Sequence, residues 1–510
     1  MNGTRATLFA TLTLGGLGLW HASGYLDTFD AAPPAAVAAL RTAPPPATPG
    51  PRRLVLAVVD GLRLDRAPLL GAPFAAAPRC TLEAALPTWS RPNAATLLTG
   101  APPGLTGVLT NDHASPAGLE SLFDLARAAG WRTALAADGA TSWQSLFPSA
   151  FDAALVTAPA AFDAALDAWT PPPGSVALVH LDAPDAAAHA DGVGPAYDAA
   201  VARVGERLRR LWTRLDPTRD TLVVTADHGH LDRGGHGGPE PVVRDVPLFA
   251  LGFGVAPTFP ADCRHPSVDL AATLAALLDL PAPAASVGRP ITELLDPRLV
   301  APGPAAARTD AQRDLLDAAL VSAGSSLDAA SAPPRSPAPL PLALAALAAL
   351  GLGLALRYVT RRARMADGPR WPFALRGFAY PVLFAAVYAS AEPACSFSAV
   401  WEREPWLLHI TALIAAAATL AWAVTWPFGA HTRLRPQRAA GWVLFASALP
   451  WLAAAGLHGS LGGGPALGPP EAAFGLLVAD LLLAGGALTA LLLLAFDRLR
   501  GAHGSMQAQR

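Results

Sequence analysis

Apolar and polar positions change character along the chain. Up to about residue 335, short apolar runs alternate with mixed, helix-period stretches. After Ser336 the apolar runs lengthen and the charges retreat to the gaps between them. In the first part, Leu54–Val59, Val176–Leu181 and Thr221–Ala226 are short runs rich in β-branched and apolar residues, each followed closely by Asp or His. Such runs predict buried strands of a parallel sheet with polar groups just past their carboxyl ends. Between them, residues 94–98, 117–129, 160–168 and 195–215 carry helix-like patterns. Strands alternating with helices predict a doubly wound α/β domain with a mainly parallel sheet, over residues 51–300. Sites in such sheets form outside the carboxyl ends of the strands.

The second part reads differently. Runs near 340–357, 375–391, 407–427, 439–457 and 472–496 have the length of a membrane crossing, about 20 residues. A further apolar run, 6–22 within residues 1–28, reads as a cleaved signal peptide or an uncleaved anchor, and either one exports the residues after it. The arginines at 357–364, at 433–438 and at 498–500 mark cytoplasmic loops. The predicted layout is a linker at 29–50, the exported domain, a helical segment and linker at 301–338, a multi-span α-helical membrane domain of about five helices at 339–500, and a cytoplasmic tail at 501–510. The exported side is periplasmic, extracellular or lumenal, and both termini are cytoplasmic if 6–22 stays uncleaved. Asp480 falls inside a predicted span, where an acid has an interhelical or headgroup role.

Composition narrows the function classes. The 510 residues are 52% hydrophobic and 15% charged, with a net charge of -2. That length suits one large domain plus a further part, or roughly two to four domains. Without a basic stripe, no nucleic-acid partner is expected. The three cysteines, Cys80, Cys263 and Cys395, fit no metal or redox spacing. Cys80 and Cys263 either pair in an oxidising compartment or remain thiols.

The polar residues at the strand ends carry the chemistry. Asp60 follows the first strand. Ser90 precedes a helical pattern, where it is either a cap or a hydroxyl at the positive end of the helix. Asp185 and His189 lie four apart, on one face if helical. Asp227 and His228 follow the third strand, and His236 sits in the run Gly234–Gly238. Each feature alone has a bland reading: a capping serine, a solvated pair, an acid ending a strand. Together they make three acids and three imidazoles at neighbouring strand ends with a serine beside them. Carboxylates and imidazoles without thiolates suit Zn, Mn or Fe. Two such ions about 4 Å apart clamp the attacking and leaving oxygens of an in-line displacement, and a serine hydroxyl needs such help at neutral pH. His230 reads as solvent-facing, with a supporting role near the ligands as the alternative, and His180 and Asp182 as structural residues or supports behind the ligands. His113 lies in a loop that could border the substrate. Arg203, Glu206, Arg207, Arg209 and Arg210 read as one solvated helix face.

These residues resemble the alkaline phosphatase superfamily over roughly 52–297, above all the GPI ethanolamine-phosphate transferases and the type I phosphodiesterase/nucleotide pyrophosphatases. Val59 to Asp65 looks like the transferases' opening motif, and Ser90-Arg91-Pro92 like their nucleophile motif. Asn93 and Thr96 to Gly100 look more like the phosphodiesterase version, and Asp227-His228-Gly229 with nearby His236 is again transferase-like. The resemblance implies one divalent ion, most simply Zn with Mn as the alternative, on Asp185, His189 and His236. It implies a second ion on Asp60, Asp227 and His228, with Ser90 as ligand and nucleophile, and Asn93 on a phosphate oxygen. It implies a phosphodiester substrate, a covalent phosphoserine, and transfer of a phosphoethanolamine-type group from a lipid donor to a lipid or lipid-linked glycan. A phosphodiesterase using water is the alternative. A non-catalytic membrane scaffold would be expected to lack a ligand, and none is missing. Sulfatases use Cys or Ser followed by x-Pro-x-Arg, which Ser90-Arg91-Pro92 does not fit.

Overall fold

The computed structural model describes residues 8–18, 32–43, 52–139, 142–300, 302–327, 371–391, 396, 398, 403–425, 436–460 and 470–507. The chain divides into two compact units, Phe29–Pro333 and the remainder, Met1–Thr28 with Pro334–Arg510.

In the first unit eight strands form one sheet: β1 Arg53–Val59, β2 Arg79–Glu83, β3 Arg132–Asp138, β4 Ala153–Thr157, β5 Ser175–Leu181, β6 Thr221–Thr225, β7 Asp245–Gly252 and β8 Arg264–Pro266. Their order is β4-β3-β5-β1-β6-β7-β2-β8. From β4 to β6 all pairs are parallel, and β7 turns antiparallel to both β6 and β2. The expected mainly parallel α/β sheet is therefore present. The three runs read from the sequence are its centre, and every residue of β5 and β6 is buried. The pattern missed the other strands because they are chemically mixed. β3 carries Ala134, Ala136 and Ala137, β7 carries Pro247, and β2 is charged at both ends.

Parallel strands need crossovers, and helices supply them. Four helices lie at or behind the carboxyl ends of the central strands: α1 Ser90–Thr99, α2 Ser142–Leu146, α3 Ala183–Asp191 and α4 Pro195–Trp212. Tyr197, Val201, Val204, Leu208 and Leu211 form the buried stripe of α4, at the spacing an amphipathic helix needs. The solvated-face reading of α4 fails at Arg207, which is 7% exposed. Its Nη1 donates to Asp138 Oδ2 at 3.0 Å and its Nε to Asp163 Oδ1 at 2.5 Å. A buried guanidinium is tolerated because both carboxylates pair with it. Arg209, paired with exposed Glu206, does lie on the surface.

The stretch read as a linker before the domain is docked where it is described. Val37 joins Leu105, Leu119, Val287, Leu316 and Leu320 in a satellite core. The Glu120 carboxylate accepts from Thr42 N at 3.1 Å and Ala284 N at 3.0 Å. A disulfide joins Cys80 on β2 to Cys263, so the open pairing question closes as a bond.

In the second unit the described helices are 8–18, Trp371–Ala391, Arg403–Thr425, Pro436–Ser460 and Pro470–Gln507. The last four overlap four of the predicted spans, but among the described residues no helix is long and apolar enough to cross a membrane. The predicted span 340–357 and its arginines to 364 lie outside the described residues. Asp480 is fully buried and its Oδ1 accepts from Trp451 Nε1 at 2.5 Å, which assigns it the interhelical role.

Candidate active site

The centre of the sheet brings three carboxyl ends to one place. β1 lies between β5 and β6, with Val58 opposite both His180 and Thr225. The chain leaves β1 at Asp60, β5 at Asp182 and β6 at Asp227, all on the same level. Gly61 makes the first turn possible. Its φ is +69°, and a Cβ there would lie 2.7 Å from His230 Nε2 and 3.1 Å from Asp185 Cα. A side chain at 61 would be strained and would intrude on the site.

Ser90 opens α1. Trp89 before it is extended, with φ -94° and ψ 155°, and left-handed Gly100 ends the helix. The segment before Ser90 is zipped to the glycine-rich loop. Thr88 Oγ1 donates to Gly238 O and accepts from Gly237 N, while Trp89 Nε1 donates to His236 O at 3.2 Å. These bonds fix α1 against the histidine loop. The positive end of the helix dipole then lies at the Ser90 hydroxyl.

The histidines are oriented by what their other nitrogens touch. His228 Nδ1 donates to Gly229 O at 3.1 Å and His236 Nδ1 to Thr88 O at 3.0 Å. A carbonyl only accepts, so Nδ1 carries the proton in both and Nε2 presents a lone pair. His228 Nε2 lies 3.1 Å from Ser90 Oγ, 3.4 Å from Asp60 Oδ1 and 3.5 Å from Asp227 Oδ2. His236 Nε2 lies 3.2 Å from His189 Nε2 and 3.8 Å from Asp185 Oδ1. Asp185 Oδ2 is 3.3 Å from His189 Nε2, one turn along α3.

Thus Asp60, Asp227, His228 and Ser90 form one group, and Asp185, His189 and His236 an adjoining one. His230 enters the second group as well. It is fully buried, and its Nε2 donates to Asp185 Oδ1 at 2.7 Å. Of the two readings of His230, the solvent-facing one fails and the supporting one fits. The loop 229–238 folds inward over Asp185, and the i, i+2 spacing from His228 was the only signal. Asp60, Asp227 and His228, and separately Asp185, His228, His230 and His236, have ligand atoms close enough to hold a cation.

Electrostatics point the same way. Burial, followed by the charges of Asp227 and Asp185, pushes the Asp60 carboxyl up to about 7. Burial raises Asp227 to about 7, against the pull of His180. Burial and the charge of Asp60 raise Asp182 to about 7. Burial draws His230 down to about 4 and lowers His236 well below the ordinary imidazole value. Asp185 goes the other way. Burial opposes its charge, but hydrogen bonds from His189 and His230 hold it well below the carboxylate range. Asp60 Oδ1 is buried without a hydrogen-bond partner. Clustered buried carboxylates, an orphaned carboxylate oxygen and neutral imidazoles with aimed lone pairs fit divalent cations, which would compensate the charge. The donor set is oxygen and nitrogen throughout, as Zn and Mn accept.

One expected contact is absent. Asn93 does not face the site. It is fully buried, its Oδ1 accepts from Ala85 N, and its Nδ2 donates toward Ala85 O, Pro87 O and Trp89 O. One turn into α1, its side chain points back at the preceding loop and is saturated there, so it cannot take a phosphate oxygen. The amide that does line the cavity with Ser90 is Asn111, together with Arg91, Trp143 and Asp182; the cavity measures about 220 Å³. Asn111 Oδ1 accepts from Arg91 N at 3.0 Å, which turns its NH2 group to the other side. Arg91 Nη1 donates to His113 O at 2.5 Å.

Residues 145–281 match the metalloenzyme superfamily, in keeping with the resemblance read from the motifs. A human protein, the catalytic subunit of GPI ethanolamine phosphate transferase 2, is 30% identical over 233 residues, covering 40% of this chain and 23% of its own. The chain thus spans under a quarter of that curated relative. Among solved structures, murine ectonucleotide pyrophosphatase/phosphodiesterase 5 aligns with a TM-score of 0.38 at 16% identity, covering 45% of this chain and 95% of that one. The C-terminal periplasmic domain of EcEptC from Escherichia coli aligns at 0.35 and 15%, covering 46% and 83%.

Proposed function

We propose that the chain is a two-metal phosphoryl-transfer enzyme that cleaves a phosphodiester through a covalent phosphoserine on Ser90. One observation carries this reading: Ser90 Oγ, at the head of α1, lies 3.1 Å from a histidine nitrogen whose lone pair is aimed at it. Asp60, Asp227 and His228 would hold one divalent ion, and Asp185, His189 and His236 the other, with His230 against Asp185. Bound there, the ions would lower the pKa of the serine hydroxyl and offset charge on the phosphoryl oxygens.

The protein's own part is orientation and proton handling. Ser90 Oγ attacks phosphorus in line, so one serine–phosphorus bond forms as the bond to the leaving alcohol breaks. The alcohol oxygen takes up the proton that the serine loses. Asn111, its oxygen occupied by Arg91 N, turns an N–H donor toward an equatorial oxygen, and the α1 dipole favours the same negative charge. A second in-line displacement then frees Ser90. With an acceptor hydroxyl the result is transfer, and with water it is hydrolysis.

Transfer of a phosphoethanolamine-type group from a lipid to a lipid or lipid-linked glycan is the finer reading. The human transferase relative supports it. So do the long apolar runs after Ser336, which read as a membrane domain behind an exported catalytic domain. The Cys80–Cys263 disulfide supports an oxidising, exported location.

The test uses the full chain in detergent with Zn or Mn, wild type against Ser90→Ala. Each is incubated with labelled phosphatidylethanolamine and, separately, a chromogenic phosphodiester. Ser90-dependent movement of label from the lipid supports the transferase, and cleavage of the chromogenic diester alone supports a phosphodiesterase. Activity that survives in Ser90→Ala overturns the nucleophile.

A further inference from the structure

We propose that His180 is a positioning residue that decides which oxygen of Asp60 faces the cation shared with Asp227 and His228. The proposal rests on the two-metal reading of the site and deepens it.

His180 is the last residue but one of β5, and β5 runs parallel to β1 with Val58 opposite His180. Asp60 N donates to Leu181 O at 3.0 Å, so the strands stay paired to their ends. Across that pairing, His180 Nε2 reaches Asp60 Oδ2 at 3.0 Å. The carboxylate accepts, so Nε2 carries the proton. Both side chains are nearly enclosed, at 8% and 7% exposure, so the bond does not compete with bulk water. The Trp143 ring on α2 meets the imidazole edge-on at 5.8 Å and limits its rotation.

The consequence is an asymmetric carboxylate. Oδ2 is engaged by His180. Oδ1 is buried, without a hydrogen-bond partner, and 3.4 Å from His228 Nε2. Asp60 therefore offers one oxygen, on the Ser90 side. A ligand carboxylate whose second oxygen is held in this way is fixed in rotation and keeps its place when the cation leaves. The same layout recurs at Asp185, where His230 holds Oδ1 and Oδ2 faces His189. The two groups are supported by different histidines, so His180 should govern one cation and spare the other.

The test measures zinc in the full chain in detergent, by competition with a chromogenic chelator and by metal content after dialysis. Wild type is expected to hold two zinc ions. His180→Ala should keep one and bind the second about 10- to 100-fold more weakly. His180→Gln, which can still donate to Oδ2, should recover most of that loss. His189→Ala should weaken the other ion, so the double variant loses both. Should His180→Ala not fold, His180→Leu, closer in volume and without a donor, carries the same expectation. Unchanged affinity for both ions in a folded donor-free variant overturns the role of His180 and leaves the two-metal reading standing. A wild-type protein that retains no zinc overturns both.

Discussion

The imidazoles of His228 and His236 stack face to face, with centroids 3.7 Å apart and planes within 11°. One belongs to the Ser90 group and the other to the Asp185 group, so the two candidate cation groups share a wall. Each ring is held by a backbone carbonyl at Nδ1, and each turns Nε2 to its own group. Charge placed in one group is therefore felt by the other.

Asn111 and Asn93 should separate cleanly. Asn111→Ala is expected to leave the melting temperature near wild type and to lower kcat about 100-fold, the usual cost of one donor to a developing oxyanion. Asn93→Ala should instead cost about 3 kcal/mol of stability, because the backbone groups it satisfies around Pro87 are left unpaired. Thermal melts and steady-state kinetics on both variants check this. A catalytic defect confined to Asn93→Ala would contradict the assignment.

Arg207→Leu should destabilise the domain by about 3 kcal/mol, since it leaves buried Asp138 without its guanidinium. Arg209→Leu, on the exposed side of the same helix, should change stability by less than about 0.5 kcal/mol. Chemical denaturation of the pair distinguishes them.

Above pH 6.5 the chelator-treated protein should lose stability as pH rises. His180 is opposed by burial, but the hydrogen bond and charge of Asp60 push it up to about 9. A raised pKa gives stability that is full below the unfolded value and lost as pH rises through the folded one. Asp60, Asp182 and Asp227, raised to about 7, act in the same direction and finish near neutrality. His230 and His236, whose values are lowered, act in the opposite direction only below pH 6.5. Melting temperatures from pH 6.5 to 9 should therefore fall without zinc, and added zinc should raise them more at the alkaline end. A rise without zinc would contradict the shifts.

The sequence made the central strands readable because Val55, Val58, Val176, Val179, Val223 and Val224 sit in uninterrupted apolar runs. β3 and β7 were hidden by alanine and proline, whose strand preference is weak. The candidate ligands were legible because Asp185 and His189, and Asp227 and His228, are close in sequence as well as in space. Asn111 was not, since it reaches Ser90 only through the loop after α1. Asn93 was misplaced because sequence spacing does not say whether a polar side chain turns to the cavity or to nearby backbone, and for the same reason spacing could not choose between the two readings of His230.

The most direct measurement is the covalent state of Ser90 itself. Zinc-loaded full chain would be mixed with labelled phosphatidylethanolamine or a chromogenic diester, quenched in acid within a turnover, digested, and read by mass spectrometry. The account predicts a phosphoryl adduct on the peptide carrying Ser90, absent from Ser90→Ala, which should also be inactive. Turnover with no adduct on Ser90, or an active Ser90→Ala, would contradict it.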